Sequence, residues 1–226
     1  MSTRRIATGA RELRASRSYS FVLLLILVAF AFTATAPDET WSRGVLVLIE
    51  CATLIVALWT SRETPVPLLL GLLILVTVGI AVAQIVIAGE TLTVLTGTFS
   101  GLLVVAIGAV IVRGVISEGT VSQRSVIGAV CVYFLLGMLF VFAYSDVAAV
   151  ASRPFFAQGT DGTLALRLYF SFVTLSTVGY GDYTAASNLG HMLSALEALL
   201  GQLYLVTVIA VLVSRMRFQP RNARKP

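Results

Sequence analysis

Six long apolar runs, near 19–36, 43–60, 65–88, 91–112, 125–144 and 188–213, decide what this chain can become. Each approaches the ~20 residues that an α-helix needs to cross ~30 Å of hydrocarbon. In that solvent a segment has to satisfy its own backbone amides and carbonyls, so the runs read as helices and the chain as an all-α membrane protein. Composition agrees. Charged residues make up 12% of the chain and hydrophobic ones 58%, whereas soluble domains carry about 25% charged residues.

The first run follows five arginines and ends in Ala34-Thr35-Ala36 before Pro37, the pattern of a cleavable secretory signal. A retained helix is favoured because five further apolar runs follow it. The third run opens on Pro65 and Pro67, residues at home in a first helical turn. With the N-terminus in the cytoplasm and the runs alternating, Arg4, Arg5, Arg11, Arg14, Arg17, Arg62, Arg113, Arg124, Arg215, Arg217, Arg221, Arg224 and Lys225 lie inside. Only Arg43, Arg153 and Arg167 lie outside, beside Asp38, Glu39, Glu90, Asp146, Asp161 and Asp182. That is the positive-inside bias. The basic residues therefore report topology, and a nucleic-acid face is not expected. Cys51 and Cys131 sit within apolar runs and read as buried small hydrophobes, not as a disulfide or metal framework.

Between the last two long runs, a polar loop over 145–162 leads to a short apolar stretch, 163–175, too short to span a bilayer. It reads as a re-entrant helix. Directly after it comes Thr177-Val178-Gly179-Tyr180-Gly181-Asp182. Gly179 and Gly181 can take positive φ, which lets successive carbonyls point one way. Thr177 can add its hydroxyl, and Val178 and Tyr180 can pack behind the loop. Such a column of oxygens suits a hard, dehydrated cation. The C-terminal end of 163–175 would add its partial negative charge.

Thr177–Gly181 is the filter sequence of potassium channels, and the chain resembles a bacterial-type six-segment potassium channel of the tetrameric cation-channel superfamily. The resemblance is strongest over about 120–215. It implies K⁺ binding at Thr177, Val178, Gly179 and Tyr180, with Gly181 completing the filter and Thr174, Ser176, Tyr169 and Asp182 supporting it. Tyr169 stands where many members hydrogen-bond the acid at Asp182 through a tryptophan; Val173 stands where some carry a buried glutamate. One filter motif per chain implies a homotetramer, with K⁺ as the permeant ion and no cofactor. Gly201 stands at the family's gating hinge, or else allows close helix packing. Gln202, Leu205 and Ile209 follow at helical spacing and are candidates to line a cavity. Glu197 either hydrogen-bonds the back of the pore helix, at Thr174 or Ser176, or is a protonated, structurally satisfied carboxyl. His191 reads as an ordinary interface histidine.

The resemblance divides the chain into a basic cytoplasmic segment (1–18), a sensor-like four-helix domain (19–112), a linker (113–124), a pore domain (125–214) and a basic cytoplasmic tail (215–226). The tail is a topological anchor or a contact for anionic lipid headgroups. The fourth run carries no arginine before Arg113, and Glu50 in the second has no evident cation to pair with, so the domain reads as a degenerate voltage sensor. The expected function is passive K⁺ conduction across the plasma membrane. The alternatives are a silent or altered-selectivity subunit of mixed tetramers and, with no nucleophile–base pair beside Glu50, Glu197 or His191, an enzyme or transporter. Each charge crossing the membrane field is worth ~2.3 kcal/mol per 100 mV. Without such charges, conductance should vary little with voltage, and a steep activation curve in a planar-bilayer recording would contradict this.

Overall fold

A computed structural model describes residues 2–61, 68–87, 90–117 and 122–215. Among these it has seven helices: α1 (Ser2–Thr35), α2 (Thr40–Ser61), α3 (Leu68–Ile87), α4 (Glu90–Ile116), α5 (Gln123–Val150), α6 (Leu164–Leu175) and α7 (Asn188–Arg215). By length and composition, α2, α4, α5 and α7 can each cross a membrane; the apolar parts of α1 (Tyr19–Thr35) and α3 (Leu68–Gln84) are shorter. Pro65, Pro67 and the tail beyond Arg215 lie outside the described residues.

Several helices outrun their apolar cores. α1 begins at Ser2, within the stretch read as a polar terminus; no proline interrupts it, and Ala, Arg, Glu and Leu are good helix formers. α4 continues to Ile116, which places Arg113 in its last turn, where a cation complements the helix dipole. α5 runs on to Val150, into the expected loop. There Asp146 accepts a 3.0 Å hydrogen bond from Thr98 Oγ1 of α4, tying the extension down. An irregular segment carrying Pro154 then leads to α6. Thr163 caps α6 by accepting from the Leu166 amide at 3.2 Å.

One buried apolar cluster runs without a break from α1 to α5, through Tyr19, Ile26, Leu54, Ile107 and Leu135. A second, mostly aromatic, gathers Phe140 and Tyr144 of α5, Phe155, Phe156, Phe170 of α6 and Ala185. α1 also reaches the second half of the chain: the Phe30 ring stands edge-on to Phe172 of α6 at 4.9 Å and to Phe134 of α5 at 5.6 Å. Near the middle of α1, where its apolar part begins, the Arg124 guanidinium lies 4.4 Å from the Tyr19 ring centroid and donates to the Thr60 carbonyl at 2.6 Å.

In lipid the hydrophobic effect does not drive helix association, so close packing at small residues carries it. A Cβ built on Gly137 of α5 would lie 2.6 Å from the Phe172 ring, and one on Gly190 of α7 would lie 2.7 Å from Ala185 Cβ. On Gly201 it would lie 2.2 Å from the Leu175 carbonyl oxygen. Among the described residues, Gly190, Glu197 and Gly201 are the buried positions of α7 and form one stripe facing α5 and α6. Much of the remaining surface of that helix, including Leu189, Met192, Leu196, Leu199, Leu203 and Val206, is exposed on the single chain.

Gly201→Ala should therefore destabilise the protein by about 1–3 kcal/mol, the usual cost of overpacking. Gly79→Ala on α3, where an added Cβ meets nothing within 4 Å, should not. Thermal unfolding in detergent tests the pair; equal stability of the two variants would refute the close seat of α7.

Candidate functional site

The last turn of α6 organises the loop that follows it. Ser176 N donates to Phe172 O at 3.1 Å, Thr177 N to Thr174 O at 2.9 Å, Val178 N to Val173 O at 3.0 Å and Gly179 N to the same Val173 O at 3.2 Å. Ser176 Oγ also bonds Phe172 O, at 2.6 Å. The loop amides thus turn back onto α6. They also occupy much of the negative helix end that the sequence reading aimed at a cation.

Backbone hand alternates along the loop. φ is +59° at Thr177, +54° at Gly179 and +76° at Gly181, and positive at neither Val178 nor Tyr180. Reversing hand at every second residue sends successive amides to one side and carbonyls to the other. Among the described residues no group donates to the carbonyls of Thr177–Gly181. Thr177 is the one described non-glycine residue with positive φ, a conformation that costs an L-residue about 1–2 kcal/mol. Ser176 to Asp182 are all exposed on the single chain. Val178 and Tyr180, expected to pack behind the loop, are 53% and 72% exposed; no described element of their own chain covers them.

Beyond the loop, Tyr169 Oη donates to Asp182 Oδ2 at 2.8 Å. Sharing its proton with a carboxylate holds that phenol above the usual tyrosine value. Asp182 Oδ1 accepts from the Tyr183 amide at 3.1 Å. Gln158 clamps the same corner: its Nε2 donates to Asp182 O at 2.9 Å and its Oε1 accepts from Thr184 N at 3.3 Å. The Gln158 segment docks alongside through Ala157 N to Thr184 O at 2.9 Å and Ala186 N to Phe155 O at 2.8 Å. Nothing in the sequence marks Gln158, a lone amide in a polar loop.

Glu197 does not reach Thr174 or Ser176, the partners expected from sequence. Its Oε1 lies 2.5 Å from Ser171 Oγ, and its Oε2 meets the Tyr144 hydroxyl. The buried stripe of α6 runs through Arg167, Ser171 and Leu175 at four-residue spacing; Thr174 lies off it and Ser176 follows the helix end. Ser171 is a polar residue in an apolar helix, a signal that could have found it. Gly201 rests on the Leu175 carbonyl. Gln202 and Leu205 are exposed, and the Ile209 side chain lies outside the described residues. His191 is exposed on α7. Glu50 is buried, with neither oxygen hydrogen-bonded in normal geometry and Ser100 of α4 as its polar neighbour.

Residues 129–218 match a family model described as "Ion channel". The match begins inside α5 and takes in α6, the loop and α7. The match supports an ion-channel domain over this stretch, which is less than half of the chain. Comparison with curated proteins gave no match.

Removing either clamp should loosen the loop's far end. Tyr169→Phe and Gln158→Ala should each speed amide exchange at Tyr183 and Thr184 several-fold while leaving α4 unchanged. Hydrogen-exchange mass spectrometry resolves this, and unchanged protection would contradict the clamps.

Proposed function

We propose that this chain is a subunit of a potassium-selective channel in the plasma membrane, assembled from four identical copies around a shared axis, with both termini cytoplasmic. The observation that carries the reading is the loop Thr177–Gly181: alternating backbone hand, the amides of Thr177, Val178 and Gly179 turned onto α6, and carbonyls without donors among the described residues. Oxygen columns of this kind replace the hydration shell of a monovalent cation. The residues bind and orient as follows. Carbonyls of Thr177, Val178, Gly179 and Tyr180, with the Thr177 hydroxyl, offer the oxygens, and Gly181 completes the turn. Asp182, held by Tyr169, fixes the outer end.

Fourfold assembly fits what one chain leaves uncovered. The apolar outer face of α7 and the side chains of Val178 and Tyr180 have no cover among the described residues, and a neighbouring copy can supply it. Gln202 and Leu205 then stand where an inner cavity would lie, and Gly201 is the candidate for a bend. The match to an ion-channel family model covers the same module. With no arginine ladder on α4, gating by voltage is weak or absent. Anionic headgroups at the basic tail remain the proposed lipid contact.

A liposome flux assay on purified protein tests the reading. K⁺ flux without Na⁺ flux supports it; flux of both means altered selectivity, and flux of neither sinks the homomeric channel. Gly179→Ala should abolish selective K⁺ flux, since an L-side chain opposes the positive φ that the loop needs at that position.

A further inference from the structure

We propose that Glu197 is a positioning residue that seats α6, and that it does so as a neutral carboxylic acid. Three close oxygen–oxygen contacts meet in one buried cluster: Ser171 Oγ to Gly137 O at 2.8 Å, Ser171 Oγ to Glu197 Oε1 at 2.5 Å, and Tyr144 Oη to Glu197 Oε2. Ser171 and Tyr144 bring one proton each, and the Gly137 carbonyl only accepts. Two protons cannot fill three contacts. The third belongs to Glu197.

With that proton on Oε1, every contact is satisfied in one direction. Glu197 donates to Ser171, Ser171 donates to the Gly137 carbonyl, and Tyr144 donates to Oε2. An ionised Glu197 would draw the Ser171 proton away from Gly137 and leave two acceptors facing each other. Nor is there a cation to offset a charge. Glu197 is 0% exposed, and the one ion pair among the described residues is Arg43–Asp38, on α2 and the turn before it. The titratable groups that face the carboxyl are Tyr144 and Tyr133 of α5. Arg167 on α6 is directed at Ser145 instead, 3.2 Å away, and His191 of α7 is exposed. An unpaired buried carboxylate is strongly disfavoured.

The relay joins three helices: α7 gives the acid, α6 the serine, and α5 the carbonyl and the phenol. Ser171 lies one turn before Leu175 and the loop. The seat of α6 therefore depends on a proton. Once Glu197 loses it, the new charge needs water or a counterion, and the α6–α7 contact must open.

Glutamine is the matched probe. Its amide can donate to Ser171 and accept from Tyr144, reproducing the neutral pattern without a titratable proton. Infrared spectra of the purified full chain in bilayers decide the protonation state. The difference between wild type and Glu197→Gln at neutral pH should contain the C=O stretch of a protonated carboxyl. Tyr144→Phe, which keeps the acid but removes the donor to Oε2, should move that band to higher frequency. Absence of the band, or a band indifferent to Tyr144→Phe, overturns the proposal whether or not the protein conducts. The positioning role rests on the channel reading and is read by flux. K⁺ flux should fall at alkaline pH in the wild type, stay flat in Glu197→Gln, and be lost in Glu197→Ala. An equal alkaline fall in Glu197→Gln overturns that role. No flux in any variant is a failure of the channel reading, and the infrared result still decides the acid.

Discussion

Irregular backbone must find partners for its polar groups or meet water, and the segment after α6 meets that constraint asymmetrically. Its first four amides, Ser176 to Gly179, are satisfied by carbonyls of α6, one of which, Val173 O, accepts twice. The carbonyls of Thr177–Gly181 accept from no group among the described residues. A set of oxygens with no internal donor is stable only beside something positive or wet. The short helix, the alternating glycines and the exposed position of the loop all follow from keeping that one-sided arrangement.

Holding it requires α6 to be fixed in depth and rotation. Sequence provides this with small residues where helices must touch. Gly137 admits the Phe172 ring, and Gly201 admits the Leu175 carbonyl. Aromatic rings from α5, α6 and the preceding loop fill the outer end, Tyr144, Phe155, Phe156 and Phe170 lying at 4.9–6.1 Å from one another. Polar groups enter this packing in two places, at Ser171–Glu197–Tyr144 on the inside and at Tyr169–Asp182–Gln158 on the exposed rim. The first fixes rotation, because it engages the one stripe of α6 that faces the bundle; the second fixes where the chain leaves the loop.

Local features of this design were legible in the sequence. Apolar runs gave the cores of the helices, and the spacing of Gly179 and Gly181 anticipated positive φ at both positions. Tertiary register was not legible. Whether Glu197 meets Ser171 or Thr174 depends on the rotation of two helices about their axes, which a motif does not encode. Helix ends were misjudged because hydropathy reports where lipid stops, while backbone hydrogen bonding carries α4 and α5 several residues further. Thr177 shows a different gap: its side chain suggested an oxygen ligand, but nothing about a β-branched residue announces a left-handed backbone.

The contact of Phe30 with Phe172 has its own consequence. The helix first in the chain touches the one that carries the loop, with no intervening connector. A displacement of α1 would press on α6 by ring against ring. The N-terminal half of the molecule thus touches the loop-bearing helix directly, without passing through the connection between α4 and α5.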